Sequence, residues 1–191
     1  MRSLLLILLS LVAVVSYAEE NFPVPEGYVL QELDPTGGKI AKPKDWFYYS
    51  SGTPSGWLWT ISADKATKDG YETGLRIQML VGVAKGTKQS TESFAKKFLQ
   101  KKIGSAKVIN ECPATDQGDF TRQCLEVIES IQRPEGPKEF RVLYSVFWGN
   151  KLDMVVVNTF GTPNEKWETF KSVSEVMSNI QLIGPDFGKS K

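Results

Sequence analysis

The segment KEFRVLYSVFWGNKLDMVVVNTF, residues 138–160, decides the fold of this chain. Its first half carries apolar side chains at every second position, namely Phe140, Val142, Tyr144, Val146 and Trp148. Successive side chains of a strand point to opposite faces of a sheet, so this alternation predicts a strand with one buried face. Gly149-Asn150 follows, and a Gly-Asn pair between two apolar runs predicts a hairpin with a two-residue type II′ turn.

The second strand of this hairpin is expected over residues 152–160. The side chains that should oppose the first strand are Leu152, Met154, Val156 and Phe160. Two further runs with strand composition, over 106–111 and 120–131, precede the hairpin. Four strands should therefore lie together in the C-terminal half of the chain.

A helix is predicted on either side of these four strands. The first covers about 90–103, with Ser90 as its N-cap and Gly104 at its end. The second covers about 163–178, where the run Thr162-Pro163-Asn164-Glu165 supplies an N-cap, a proline at the first helical position and a glutamate that closes a capping box. Each helix has one apolar side, so each is expected to cover a face of the sheet.

The N-terminal half reads as shorter strands. Residues 28–33 and 38–41 flank a turn at 34–37, and period-two alternation over 75–83 predicts a longer strand. A mainly antiparallel central sheet with two principal helices on its faces is the simplest arrangement that buries all the apolar faces. The sequence therefore predicts an α/β/α sandwich of the α+β class.

Two motifs and the order of the elements resemble a known superfamily. The first motif is GKIAKPKDW, residues 38–46; the second is FGTPNEKW, residues 160–167, followed by the apolar helix and strand over 170–182. With these motifs the chain resembles the PsbP-like superfamily, which includes PsbP, Mog-type and DcrB-type proteins. The resemblance implies one domain over residues 28–183 and an accessory or adaptor role. No metal-binding or Ran-binding motif accompanies it, so those activities are not carried over.

The N-terminus has the three parts of a cleaved secretory signal over residues 1–18. Arg2 supplies a positive charge, residues 4–15 are apolar apart from one serine, and small residues precede a cleavage site between Ala18 and Glu19. The apolar part is too short to span a bilayer, and no cysteine follows the cleavage site to carry a lipid. We expect a periplasmic or secreted protein without a membrane anchor in its mature form.

The mature chain is expected to hold an extended arm over residues 19–27, the domain, and a polar tail over 184–191. Removal of 18 residues from 191 leaves 173, which suits a single domain with a substantial core. Arg2 is the only charged side chain lost, so 22 basic groups face 22 acidic groups. This balance argues against a nucleic-acid partner and against a polybasic membrane patch.

The chain contains no histidine, and this absence narrows the chemistry. It removes the usual general base of hydrolases and the commonest metal ligand. No catalytic residue, metal site or cofactor is predicted. An enzyme that uses only carboxylates, acting for example on glycans, remains an alternative. Glu126 and Glu129 are three positions apart along one strand, and an odd spacing puts side chains on opposite faces. We therefore do not expect them to act as a pair.

Cys112 and Cys124 are the only cysteines, and both lie in the exported part. An even number of cysteines in an oxidising compartment favours a disulfide. Arg122 is the only cationic neighbour that would lower a thiol pKa, and the spacing is far wider than Cys-x-x-Cys, so a redox pair is the weaker alternative. We therefore predict a structural disulfide.

The aromatic run over residues 46–59 allows two interpretations. Its candidate binding residues are Trp46, Tyr48, Trp57 and Trp59. They form either an exposed platform for a ligand or part of the core, because large aromatic side chains serve both purposes. The leading functional hypothesis is an exported accessory protein without catalytic activity that binds a protein or small ligand. Besides the carboxylate enzyme, the alternative is a periplasmic immunity or inhibitor protein.

Overall fold

The structure is a computed structural model that describes residues 22–67 and 70–185. The predicted signal peptide, its cleavage site and the start of the arm lie outside these residues, as does most of the tail. None of the helices in the described part is long and apolar enough to span a membrane.

In the described part of the chain, ten strands form two antiparallel sheets. In chain order the strands are β1 (Tyr28–Leu33), β2 (Gly37–Pro43), β3 (Phe47–Thr53), β4 (Gly56–Ser62), β5 (Gly74–Val81), β6 (Lys107–Gln117), β7 (Phe120–Arg133), β8 (Gly136–Gly149), β9 (Met154–Pro163) and β10 (Ile180–Ile183). The main sheet has the order β3-β4-β5-β9-β8-β7-β6, and the small sheet has the order β1-β2-β10. The helices are α1 (Val83–Thr87), α2 (Thr91–Ile103) and α3 (Trp167–Met177).

The main sheet lies between two layers. Helix α2 covers one face, where Val127, Val146 and Val155 pack against Ala95 and Leu99; we call this cluster the α2 core. The small sheet and α3 cover part of the other face. There Ile40 and Met177 meet Ile61, Ile77 and Phe160 in the α3 core. The predicted α+β class, with a mainly antiparallel sheet and helices on its faces, is confirmed.

The alternating face of β8 is confirmed, but the predicted two-residue turn after it is wrong. Strand β8 ends at Gly149 and β9 begins at Met154, which leaves a four-residue loop. Asn150 does not close a tight turn because it bonds to the neighbouring β6–β7 turn. Its backbone N–H donates to Asp119 at 2.9 Å, and its side-chain amide donates to the Gly118 carbonyl at 3.1 Å.

The longer loop changes which β9 side chains oppose the alternating face of β8. Trp148 is paired with Val155, so Val155 and Val157 join the α2 core. Val156 and Phe160 face the α3 core instead, and Leu152 lies in the loop with 45% of its surface exposed. Strand β9 is thus buried on both faces, a pattern that strict alternation does not predict.

The first helix follows its predicted signals, but the capping box of the second is wrong. Ser90 caps α2 by accepting a hydrogen bond from the Ser93 N–H at 3.1 Å. Thr162 cannot cap α3 because it still belongs to β9, where its buried hydroxyl bonds to the Thr73 hydroxyl at 2.9 Å. A 3₁₀ turn over Asn164–Lys166 follows, and α3 starts at Trp167 without a side-chain cap.

Candidate functional site

The structure places the four candidate aromatic residues against the α3 core. Trp59 is fully buried, and its indole N–H donates to the Asp34 carbonyl at 2.7 Å. The Tyr48 hydroxyl accepts a hydrogen bond from the Asp34 N–H at 3.1 Å. Trp46 and Trp57 are half-buried on the same cluster. Trp59 is therefore part of the core, whereas the other three side chains are half-buried against it.

Two other aromatic residues of the run 46–59 are exposed, and they alternate with Trp46 and Tyr48 along the chain. Phe47 and Tyr49 lie on the other face of β3, at the edge of the main sheet, and are 49% and 61% exposed. With Thr60, Ser62 and Lys65 they line a hollow of about 170 Å³. Helix α2 packs over β8 and β9 rather than over this edge.

The two carboxylates that the sequence assigns to opposite faces of one strand are each paired with a cation. Glu126 accepts a hydrogen bond from Arg141 at 2.6 Å. Glu129 faces the α2 side, where it bonds to Lys102 at 3.0 Å and to the Tyr144 hydroxyl at 2.9 Å. Burial and this carboxylate both raise the pKa of Tyr144. The side chains lie on opposite faces of β7, as the spacing predicts.

The predicted disulfide between Cys112 and Cys124 is present. The two residues are direct partners in the β6–β7 ladder, with Cα atoms 4.9 Å apart. This separation suits a disulfide. The crosslink therefore fastens the edge strand β6 to β7, next to Arg122 and Gln117, with which it shares a shallow hollow.

A larger apolar cleft opens where the small sheet ends. Its volume is about 280 Å³, and one wall is formed by β10. The residues that line it are Gln117, Phe120, Phe147, Met154, Ile180, Leu182 and Ile183. We call this the β10 cleft. Six of these seven side chains are apolar, so the cleft offers a ligand an apolar surface with one amide beside it.

The β10 cleft exists because the small sheet covers only part of the main sheet. Strand β10 pairs with β2 from Ile180 to Ile183 and is four residues long. The end of β8 and the start of β9 contribute Phe147 and Met154 to the lining. The floor and the wall of the cleft thus come from different sheets.

Arg122 lies beside this cleft, on the same face of β7 as Phe120. Its guanidinium carbon is 5.7 Å from the centre of the Phe147 ring, which lines the cleft. Its Nη2 donates to the Ser145 hydroxyl at 3.1 Å. Its Nε is buried and has no hydrogen-bond partner among the described residues. A cation therefore lies next to an apolar surface and forms no salt bridge with a carboxylate of residues 22–67 or 70–185.

Sequence reasoning missed this cleft because its residues come from four separate segments. A usable signal was present in β8, where Leu143 and Phe147 put apolar side chains on the face that alternation assigns to solvent. No group of three or more acidic or cysteine side chains in residues 22–67 and 70–185 is arranged to hold a metal ion.

No family model matches the chain, and no curated protein matches it in sequence. Its structure is similar to that of cyanobacterial PsbP from Synechocystis sp. PCC 6803, at 15% identity and a TM-score of 0.46 over 81% of this chain and 92% of that one. It is also similar to the Saccharomyces cerevisiae Ran-binding protein Mog1p, at 9% identity and a TM-score of 0.49 over 84% and 98%.

A third similar structure is LpqN of Mycobacterium tuberculosis, a protein involved in cell envelope biogenesis. The identity is 11% and the TM-score 0.46, over 82% of this chain and 91% of that one. PsbP and a Mog-type protein, two kinds named by the sequence resemblance, are among the solved structures that this chain is similar to. The likeness concerns the fold and brings no ligand or partner to this chain.

Proposed function

We propose that this chain is an exported binding protein that holds a small, mainly apolar ligand in the β10 cleft. The observation that carries the proposal is the cleft itself, an opening of about 280 Å³ lined by six apolar side chains. Ligand sites are typically concave and mostly apolar, with a few polar groups that orient the ligand. Ligand pockets usually have volumes of about 300–1,000 Å³, and the β10 cleft lies just below this range, so it suits a small ligand.

Two features support export to the periplasm or the exterior. Residues 1–18 have the composition of a secretory signal. The Cys112–Cys124 disulfide is of a kind that persists in oxidising compartments. We expect the native protein to begin at Glu19, which mass spectrometry of exported material would measure directly. Recovery of the protein with residues 1–18 still attached would contradict this part of the proposal.

A carboxylate enzyme is a weaker explanation of the geometry. Glycoside cleavage needs two carboxyl groups that face each other across a cleft. Glu126 and Glu129 lie on opposite faces of β7, where they bond to Arg141 and Lys102. An immunity or inhibitor protein would present a flat or concave aromatic patch and no deep pocket, whereas the β10 cleft, which is larger than the hollow beside β3, suits a small ligand better.

The proposal is tested with 1-octanol, a probe that has an apolar chain and no charge. We would titrate it into protein labelled on methyl groups and follow the NMR signals. Binding in the cleft should shift the methyl signals of Met154, Ile180, Leu182 and Ile183. Ile183→Trp should abolish these shifts by filling the cleft, and Ile183 suits this purpose because it lines the cleft without belonging to the α3 core.

Leu30→Trp is the matched control, since Leu30 is an exposed apolar residue of the small sheet that does not line the cleft. This variant should bind 1-octanol as the unmodified protein does. The proposal fails if no methyl signal moves up to the solubility limit of 1-octanol, or if the shifts lie outside the cleft and survive Ile183→Trp.

A further inference from the structure

We infer that the β10 cleft selects an anionic amphiphile, a small molecule with a carboxylate head held by Arg122 and a short alkyl chain held by the cleft. This inference rests on the proposed function and adds the chemical class of the ligand. It follows from the position of Arg122, from its missing counter-charge and from the apolar character of the neighbouring surface.

The position of Arg122 places its side chain beside the β10 cleft. Phe120 and Arg122 are two residues apart on β7, so their side chains leave the same face of the main sheet. Phe120 lines the cleft, and the guanidinium of Arg122 stands over Phe147, which lines it as well. Gln117 lines both the cleft and the hollow that contains Arg122. A head group at Arg122 is therefore continuous with a chain in the cleft.

The charge of Arg122 is not balanced by a salt bridge among the described residues. Three half-buried cations have carboxylate partners, since Arg141 bonds to Glu126, Lys102 to Glu129, and Lys138 to Glu72, whereas the buried Lys42 bonds to backbone carbonyls. Arg122 forms no salt bridge with an acidic side chain among the described residues, and its only side-chain hydrogen bond is to the neutral Ser145. Partly burying a cation without a counter-ion is unfavourable. An anionic ligand would supply the missing partner.

Geometry indicates a carboxylate. Arginine presents a planar set of N–H donors that matches the two oxygens of a carboxylate, and such charge-assisted pairs are stronger than neutral hydrogen bonds. Nη2 donates one hydrogen bond to Ser145, and the guanidinium carbon lies 5.7 Å from the centre of the Phe147 ring. The side chain is thereby held in place before the ligand arrives. A preorganised donor loses less conformational entropy on binding.

The test compares three ligands with the same eight-carbon chain and different head groups: octanoate, 1-octanol and octylammonium. Dissociation constants are measured on the full mature protein at pH 7 by methyl NMR titration. Octanoate should bind on the order of 10- to 100-fold more tightly than 1-octanol, which is the difference expected for hydrogen bonds to a charged group. Octylammonium should bind more weakly than 1-octanol.

Arg122→Gln should bring the ratio of octanoate affinity to 1-octanol affinity close to one, because it removes the positive charge that distinguishes the two head groups. Arg76→Gln is the matched control; Arg76 is exposed on β5, on the opposite face of the main sheet. It should keep the full preference. The comparison of head groups on the unmodified protein does not depend on whether Arg122→Gln folds.

The outcomes distinguish the assignment of Arg122 as the carboxylate-binding residue from the proposal that the cleft is a ligand site. Equal affinity for octanoate and 1-octanol would overturn the assignment of Arg122 while the cleft remains a ligand site. Tighter binding of octylammonium would overturn it as well. Failure of all three ligands to bind would overturn the proposed function itself, and the inference with it.

Discussion

Trp59 shows how a single aromatic residue is committed to the core. Its ring is fully buried, and its N–H bonds to the Asp34 carbonyl in the turn between β1 and β2. Two elements distant in sequence are thereby connected by one side chain. The same residue type at an exposed position would serve a ligand, so burial, rather than composition, decides its role.

Trp59→Phe should destabilise the protein by about 2–4 kcal/mol, because it removes a buried hydrogen bond and leaves a cavity. Denaturant unfolding followed by circular dichroism measures the change. Tyr49→Phe is the control, since Tyr49 is exposed and should be close to neutral. Equal stability of the two variants would contradict the structural role of Trp59.

Glu72 is the second residue that holds separate parts together. Its carboxylate bonds to Lys138 at 3.0 Å and to Lys166 at 3.3 Å. The hydrogen bond from Lys138 is the largest effect that lowers the Glu72 pKa below its ordinary value of 4.5. The stabilisation that results is present above that ordinary value, and it is lost as the pH falls through the lowered pKa of the folded protein.

Lys138→Met should therefore raise the Glu72 pKa back towards 4.5 and reduce the acid-sensitive part of the stability. Carboxyl-carbon NMR gives the titration midpoint directly. Lys107→Met, an exposed change on β6 that breaks no ion pair with Glu72, should leave the midpoint where it is. If Lys138→Met also leaves the titration midpoint of Glu72 unchanged, the ion pair with Lys138 does not lower the Glu72 pKa.

At the scale of the element, the close packing of β2 against β10 determines whether the β10 cleft has a wall. Gly38 faces β10 so closely that a Cβ atom would lie 2.3 Å from the Gln181 carbonyl oxygen and 2.5 Å from that of Leu182. These are backbone atoms, so a side chain cannot be accommodated by a rotamer change. Gly38 is the first residue of the GKIAKPKDW motif, and this contact gives that position a physical reason.

Gly38→Ala should destabilise the protein by about 1–3 kcal/mol and weaken binding in the cleft, because β10 must move away from β2. Thermal unfolding and the 1-octanol titration measure the two effects. Gly52→Ala is the matched control, since nothing lies within 4 Å of its Cβ position. Unchanged stability and unchanged binding in Gly38→Ala would show that β10 is not fixed by this contact.

The disulfide acts on the other side of the cleft by fastening the edge strand β6. Replacing both Cys112 and Cys124 by serine should cost about 3 kcal/mol through the closed loop, or about 6–12 °C in melting temperature for a chain of this size. The reduced unmodified protein should melt at the same temperature as the double variant. A melting temperature unchanged by both treatments would contradict the stabilising role of the crosslink.

Sequence patterns gave the strands and helices because those signals are local. Alternation identified β8, and Ser90 identified the start of α2. The turn after Gly149 and the start of α3 were mispredicted for a different reason. Asn150 bonds to the β6–β7 turn and Thr162 bonds to Thr73, and both partners are remote in sequence. A local motif does not reveal that its polar atoms are already used elsewhere.

At the scale of the whole molecule, the site results from unequal layers. The main sheet has seven strands and the small sheet has three, so the small sheet and α3 cover only part of one face. Where the covering ends, apolar side chains of both sheets meet around the β10 cleft. The class of fold was predictable from element order, but the place where one layer stops is set by packing. Of the four aromatic candidates from sequence, Trp59 is fully buried and the other three are half-buried against the α3 core, and none of the four lines the cleft.

The most direct test of this account is to measure intermolecular nuclear Overhauser effects between octanoate and the full mature protein. The account predicts contacts from the terminal methyl group of octanoate to the methyl groups of Met154, Ile180 and Ile183. The protons next to the carboxylate should lie nearest Arg122. Contacts confined to Phe47 and Tyr49 at the edge of the main sheet, or no contacts at ligand saturation, would contradict it.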